Sequence, residues 1–177
     1  MMTKKKGYKI TFLILLLHLF STTIKAQTSF FHKIELGYLK NQFTMVQYDV
    51  DSGWLGYKLP DNVNGANLNW EFGYQIKDWA LVGLNAGYLQ FGSTQGYLVN
   101  LDAMAFYLEK PWRLHNNLRI GASHIFNQYE GGTITPYFEL AAGLSYTNKK
   151  NTIIYGQVGF SITQEVLFLP IRVGVKL

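Results

Sequence analysis

The chain has 177 residues, no cysteine and a formal net charge of +5; without a thiol it has neither a disulfide framework nor a lipoprotein attachment site. The charge suggests a nucleic-acid partner only until it is mapped. Lys4, Lys5, Lys6, Lys9 and Lys25 carry all of the excess, and beyond residue 26 eleven basic residues face eleven acidic ones, which excludes that reading.

The N-terminal residues join a basic segment to an apolar run over 10–20 and end on the small residue Ala26. That order predicts a secretory signal peptide over 1–26, cut after Ala26. The apolar run is well short of the roughly 20 residues a spanning helix needs. Residues 27–177 then make one domain. They show no sustained helical period, abundant aromatics and frequent glycine.

The first predicted strand covers residues 32–39, with Ile34, Leu36 and Tyr38 on one face. Residues 44–65 are rich in Asp, Asn, Gly and Pro and predict a long surface loop. In the second strand, 67–76, Leu68, Trp70, Phe72, Tyr74 and Ile76 alternate with Asn67, Asn69, Glu71, Gly73 and Gln75. Side chains on a strand alternate faces, so this stretch has one greasy side and one polar side. Lys77-Asp78 turns into a third strand, 80–89, and residues 92–96 form a second loop. The fourth strand, 98–108, sets Val99, Leu101 and Ala103 against Asn100, Asp102 and Met104.

A polar connection over 109–116 precedes the fifth strand, 117–126, and residues 127–132 form a third loop. The sixth strand, 135–146, places Phe138, Leu140 and Leu144 opposite Tyr137, Glu139 and Gly143. Residues 148–151 make a turn, strand seven covers 153–162, residues 163–165 turn again, and strand eight covers 167–177. Eight strands of about nine to eleven residues match what a tilted strand needs to cross a bilayer. An even number brings both termini to one side, assigned here to the periplasm.

Two eight-stranded barrels fit this pattern. A soluble lipocalin-like lipid carrier encloses its apolar face, whereas a membrane barrel turns that face outward. Charge decides for the second. Lys33, Glu35, Glu71, Asp102, Arg119, Glu139, Arg172 and Lys176 all fall on the polar face, interleaved with glycines and amides, and the apolar faces hold no charge between strand ends. Aromatics cluster at strand ends: Tyr74, Trp79, Tyr107, Trp112 and Tyr146 at one, Tyr38, Tyr88, Phe126 and Phe160 at the other. Amphipathic rings settle at membrane interfaces.

The eight alternating strands, their aromatic ends and the closing segment from Pro170 to Leu177 resemble the small outer-membrane barrel family of Gram-negative bacteria, the OmpX and OmpA-barrel type. The resemblance covers the whole mature chain. It implies an all-β, eight-stranded antiparallel transmembrane barrel in the outer membrane, surrounded by outer-membrane lipid and lipopolysaccharide and inserted by the outer-membrane assembly machinery. Family barrels commonly end on an aromatic residue read by that machinery; here Leu177 stands in its place. The resemblance also implies a narrow, filled interior rather than an open pore. Buried charges are expensive unless paired, so Glu35, Glu71, Asp102, Arg119, Glu139 and Arg172 are expected to form an interior salt-bridge network. Within it Arg119 and Arg172 would bridge Glu71, Asp102 and Glu139, with Arg119 somewhat lower than the others.

Chemistry is sparse. Ser123-His124 with Glu130 or Glu139 suggests a lipid-A-modifying enzyme, but adjacent strand residues point to opposite faces and make a poor dyad. Asp49-Val50-Asp51-Ser52-Gly53 only approaches a calcium loop, since its glycine is one position early and no closing Glu follows at the required distance. His32, His115 and His124 lack metal-ligand spacing, so no metal and no cofactor is expected. The first loop, with Tyr48, Trp54, Leu55 and Tyr57, is the candidate surface for a partner or lipopolysaccharide. A non-enzymatic barrel with a structural or surface-interaction role is the leading expectation, followed by a narrow porin-like solute channel.

Overall fold

A computed structural model describes residues 28–45, 59, 62–126 and 133–177. The signal segment, the loop residues Tyr48, Trp54, Leu55 and Tyr57, the sequence 49–53, and Glu130 lie outside the described residues. Eight strands follow in chain order: β1 Thr28–Thr44, β2 Gly65–Ile76, β3 Ala80–Phe91, β4 Thr94–Tyr107, β5 Trp112–Phe126, β6 Thr133–Thr147, β7 Ile153–Thr163 and β8 Val166–Lys176. Each pairs antiparallel with its sequence neighbours, and β1 closes on β8 to complete the barrel. Closure leaves no sheet edge to satisfy, which is what a strand structure needs to cross lipid. Eleven residues at about 3.3 Å each, tilted by about 40°, rise roughly 28 Å, close to the apolar band of membrane barrels.

The decisive outcome is which face points out. Trp70, Phe72 and Leu84 are 54%, 44% and 56% exposed, whereas Glu71 and Arg172 are each 1% exposed. The apolar stripes therefore clothe the exterior and the charges are enclosed, the reverse of a lipid-carrying cup. The two aromatic groups lie outward at opposite ends, with Trp79, Tyr107 and Trp112 at the end holding turns 77–79, 108–111 and 148–152.

Several boundaries move. β1 is longer than residues 32–39 at both ends, because residues 28–31 pair with β2 and its last residues pair with β8, with a register irregularity between Asn41 and Phe43. Residues 94–96 belong to β4 rather than to a loop, because β3 and β4 are joined by the two-residue turn Gly92-Ser93. Gly92 has φ +57° there, the left-handed conformation a tight hairpin requires. Trp112 to Asn116 likewise belong to β5, in register with β6 from Trp112↔Tyr146 onward.

The interior is layered. An apolar cluster of Leu39, Leu89, Phe91, Leu98, Tyr137 and Phe168, with Leu59 from the first loop, fills the end opposite the termini. Phe31, Leu81, Met104, Phe106, Ile153 and Tyr155 fill the other end. Between them runs a belt of charged side chains.

Candidate functional site

The belt is built by strand register. Asp102 on β4 lies directly opposite Arg119 on β5, which lies opposite Glu139 on β6. Arg119 is therefore in register with both acids. Its Nε donates to Asp102 at 2.7 Å, and Nη1 lies 3.5 Å from Glu139. Its two Nη groups reach across the lumen to β1, gripping both carboxylate oxygens of Glu35 at 2.6 and 2.8 Å. Paired N–H donors on a carboxylate form the strongest side-chain ion pair available.

Arg172 on β8 makes the second fork, donating to both oxygens of Glu139 from Nε at 2.8 Å and Nη2 at 2.6 Å. Its Nη1 also donates to Glu35 at 3.2 Å and its Nη2 to the Tyr137 phenol at 2.9 Å. Glu35 is thus the hub. It accepts further hydrogen bonds from Tyr155 Oη at 2.7 Å and Asn69 Nδ2 at 3.0 Å.

Glu71 departs from the expected arrangement. No arginine bridges it among the described residues; its ion-pair partner is Lys33, which stands directly opposite it in the β1–β2 register. Lys33 Nζ also donates to Asp102 at 3.0 Å, so one lysine couples the Glu71 corner to the Arg119 cluster. Lys33 lay on the polar face in the sequence but outside the expected network. Only the register between two strands, not the alternation within one, places it against Glu71. The same holds for the polar supports Tyr155, Asn69 and Asn117, the last donating to Asp102 at 2.5 Å. Lys176 stays outside the belt, near the turn end, where its Nζ donates to Gln75 at 2.9 Å.

Every belt member is essentially buried. Desolvating an ion costs several kcal/mol, recovered only where partners and remaining lone pairs are satisfied. The two bidentate arginine forks and the phenol and amide donors supply that for Glu35, Asp102 and Glu139, whereas Glu71 has its ion pair with Lys33. Glycine creates the room, since a Cβ on Gly37 would fall 2.6 Å from Arg172 Nη1 and one on Gly83 would fall 2.7 Å from Glu71 Oε1.

Among the described residues no nucleophile–base pair forms at Ser123. That side chain points inward and hydrogen-bonds Thr163 and Thr135, while His124 faces the outer side with its ring 4.7 Å from that of Phe126. His115 is buried inside β5, its Nε2 3.2 Å from Gln157. Among the described residues no group of three or more His, Cys, Asp or Glu is arranged to hold a metal ion.

No family model matches the sequence, and a comparison with curated proteins gives no match either. Solved structures do match. The Neisserial surface protein A structure aligns with a TM-score of 0.60 at 12% identity, covering 85% of this chain and 98% of that one. The N-terminal β-barrel domain of Pseudomonas aeruginosa OprF aligns at 0.52 and 14% identity, covering 82% and 97%. At such identities the likeness concerns architecture alone, and it agrees with the outward apolar wall and closed strand order found here. The chain has the fold of the small eight-stranded outer-membrane barrels.

Proposed function

We propose that this chain is an integral outer-membrane barrel with a structural or surface-interaction role, non-enzymatic and closed to solute. The observation that carries this reading is the filling of the lumen by two apolar clusters with the Glu35–Arg119–Glu139–Arg172 belt between them. Free passage of an ion would require several fully buried ion pairs to separate, each at a cost of several kcal/mol. In this reading residues 1–26 export the chain and are removed after Ala26, and the assembly machinery inserts the barrel. Outer-membrane lipid, including lipopolysaccharide, then covers its wall. The first loop, with Tyr48, Trp54, Leu55 and Tyr57, offers the surface for a partner outside the cell.

Planar-bilayer recording of the purified protein tests it. The expected result is no stable conductance step. Large, stable steps would replace this reading with that of a narrow channel.

A further inference from the structure

The outward wall is not uniformly bulky. Near the turn end, Ala80 pairs with Ala105 and Val82 with Ala103 across β3–β4, and Ala105 pairs in turn with Asn116 on β5. These short side chains floor a groove of about 350 Å³, walled by Ile76, Trp79, Leu118 and Leu140. The groove is almost wholly apolar. Its outward polar group is Asn116, whose Nδ2 donates to Tyr107 Oη at 3.3 Å on the exposed side of the wall. The adjoining turns carry Lys77 and Lys110, the latter 3.0 Å from Asp78. Across the turns at this end, Lys77, Lys110, Lys149 and Lys150 outnumber Asp78 and Glu109.

We propose that this groove holds one acyl chain of an anionic phospholipid from the leaflet at the turn end, with its phosphate drawn to Lys77 and Lys110. The inference rests on the membrane-spanning reading above. Shape and polarity argue for a chain of methylenes, since apolar surface in a lipid-facing wall is covered by whatever apolar group fits it. Depth argues for a glycerolipid in particular. The Asn116–Tyr107 pair sits beside Trp79 and Trp112 at the interfacial level, where amide and phenol can meet ester oxygens. Charge argues for an anionic headgroup, because lysines near a membrane surface favour one.

Native mass spectrometry of the folded barrel, released from micelles doped with phosphatidylglycerol or phosphatidylcholine of identical chains, tests the proposal. Gel mobility of unheated and heated samples reports folding of the same preparations. One retained phosphatidylglycerol per barrel is expected, at least tenfold preferred over phosphatidylcholine. The groove-filling pair Ala103→Leu/Ala105→Leu should lower retention tenfold or more, while Ala86→Leu, outward on β3 opposite Val99, should change nothing. Lys77→Gln/Lys110→Gln should keep a lipid but lose the headgroup preference, and this pair decides the matter if the leucine pair does not fold.

Equal retention by the filled and parent barrels overturns the proposal, as does equal retention of the two lipids. So does a dimer that the leucine pair dissociates, since the occupant would then be a second copy. A parent that folds yet retains no lipid removes this inference alone. A parent that gives no heat-modifiable form removes the membrane reading with it.

Discussion

Replacing Arg119 by methionine tests whether the belt holds the barrel together. Arg119 is fully buried and touches three carboxylates: Glu35 through two bonds, Asp102 through one, and Glu139 at 3.5 Å. Methionine keeps much of the volume but leaves Glu35, Glu71, Asp102 and Glu139 facing only Lys33 and Arg172. Asp102 would retain Lys33 and Asn117, and Glu139 would retain the Arg172 fork. The loss therefore concentrates on Glu35, whose best-aligned pair is gone. Removing one partner of a buried pair costs about 3–5 kcal/mol. For a urea slope of about 1–3 kcal/mol/M, that lowers the unfolding midpoint by roughly 1–5 M. Unfolding from lipid vesicles, followed by circular dichroism and gel mobility, measures the shift. The double variant Arg119→Met/Glu35→Gln should recover part of it, because the stranded charge is then neutral. A single variant within about 0.5 kcal/mol of the parent, the range of an ordinary surface change, would show that the belt is not a stabilising element.

Three further outcomes follow from the same geometry. Lys110→Gln removes an ion pair whose side chains are 37% and 75% exposed, so its cost should be about 0–1 kcal/mol in the same unfolding assay; a loss as large as that of Arg119→Met would contradict the distinction between belt and rim. Leu84→Arg puts a charge on the outward wall mid-strand and should cost about 2–4 kcal/mol in vesicles; a change within about 0.5 kcal/mol of the parent would mean that this face meets water. Trp70, Trp79 and Trp112 point outward, so in a Trp54→Phe background brominated acyl chains should quench the fluorescence strongly and aqueous iodide weakly. The opposite order would place those rings in water.

The alternation of Leu68, Trp70, Phe72 and Tyr74 with Asn69, Glu71 and Gly73 was enough to assign faces, because a slip of one residue would turn every side chain to the wrong side. That is why strand count, face and closure were legible while strand ends were not. Lys40, Asn41 and Gln42 are polar on both faces, yet they continue β1 because β8 pairs with Lys40 and Asn41, skips Gln42 at the irregularity and resumes at Phe43, beyond the level where β2 starts. Gly96 looks like a loop residue, but a Cβ there would fall 2.4 Å from His124 O, so the glycine reflects close packing against β5. Asn116 and Asn117 look like a polar connector. In the barrel one faces out to Tyr107 and the other faces in to Asp102.

Pairing inside the belt was the part that a single strand could not disclose. Parity puts Lys33, Glu71, Asp102, Arg119, Glu139 and Arg172 in the lumen, but it leaves open which acid meets which base. Two further quantities decide that. Register between neighbours brings Lys33 against Glu71 and stacks Asp102, Arg119 and Glu139 in one row. Curvature then brings β1 within reach of β5, strands that share no backbone hydrogen bond, so that Arg119 can bind Glu35 across the lumen. A chain that reached only the correct neighbour pairings would satisfy the Asp102–Arg119–Glu139 row and leave Glu35 without its cross-lumen partner. Since an unpaired buried carboxylate is costly, the Glu35 contacts with Arg119 and Arg172 reward the closed, eight-stranded cross-section over an open or wider sheet of the same strands.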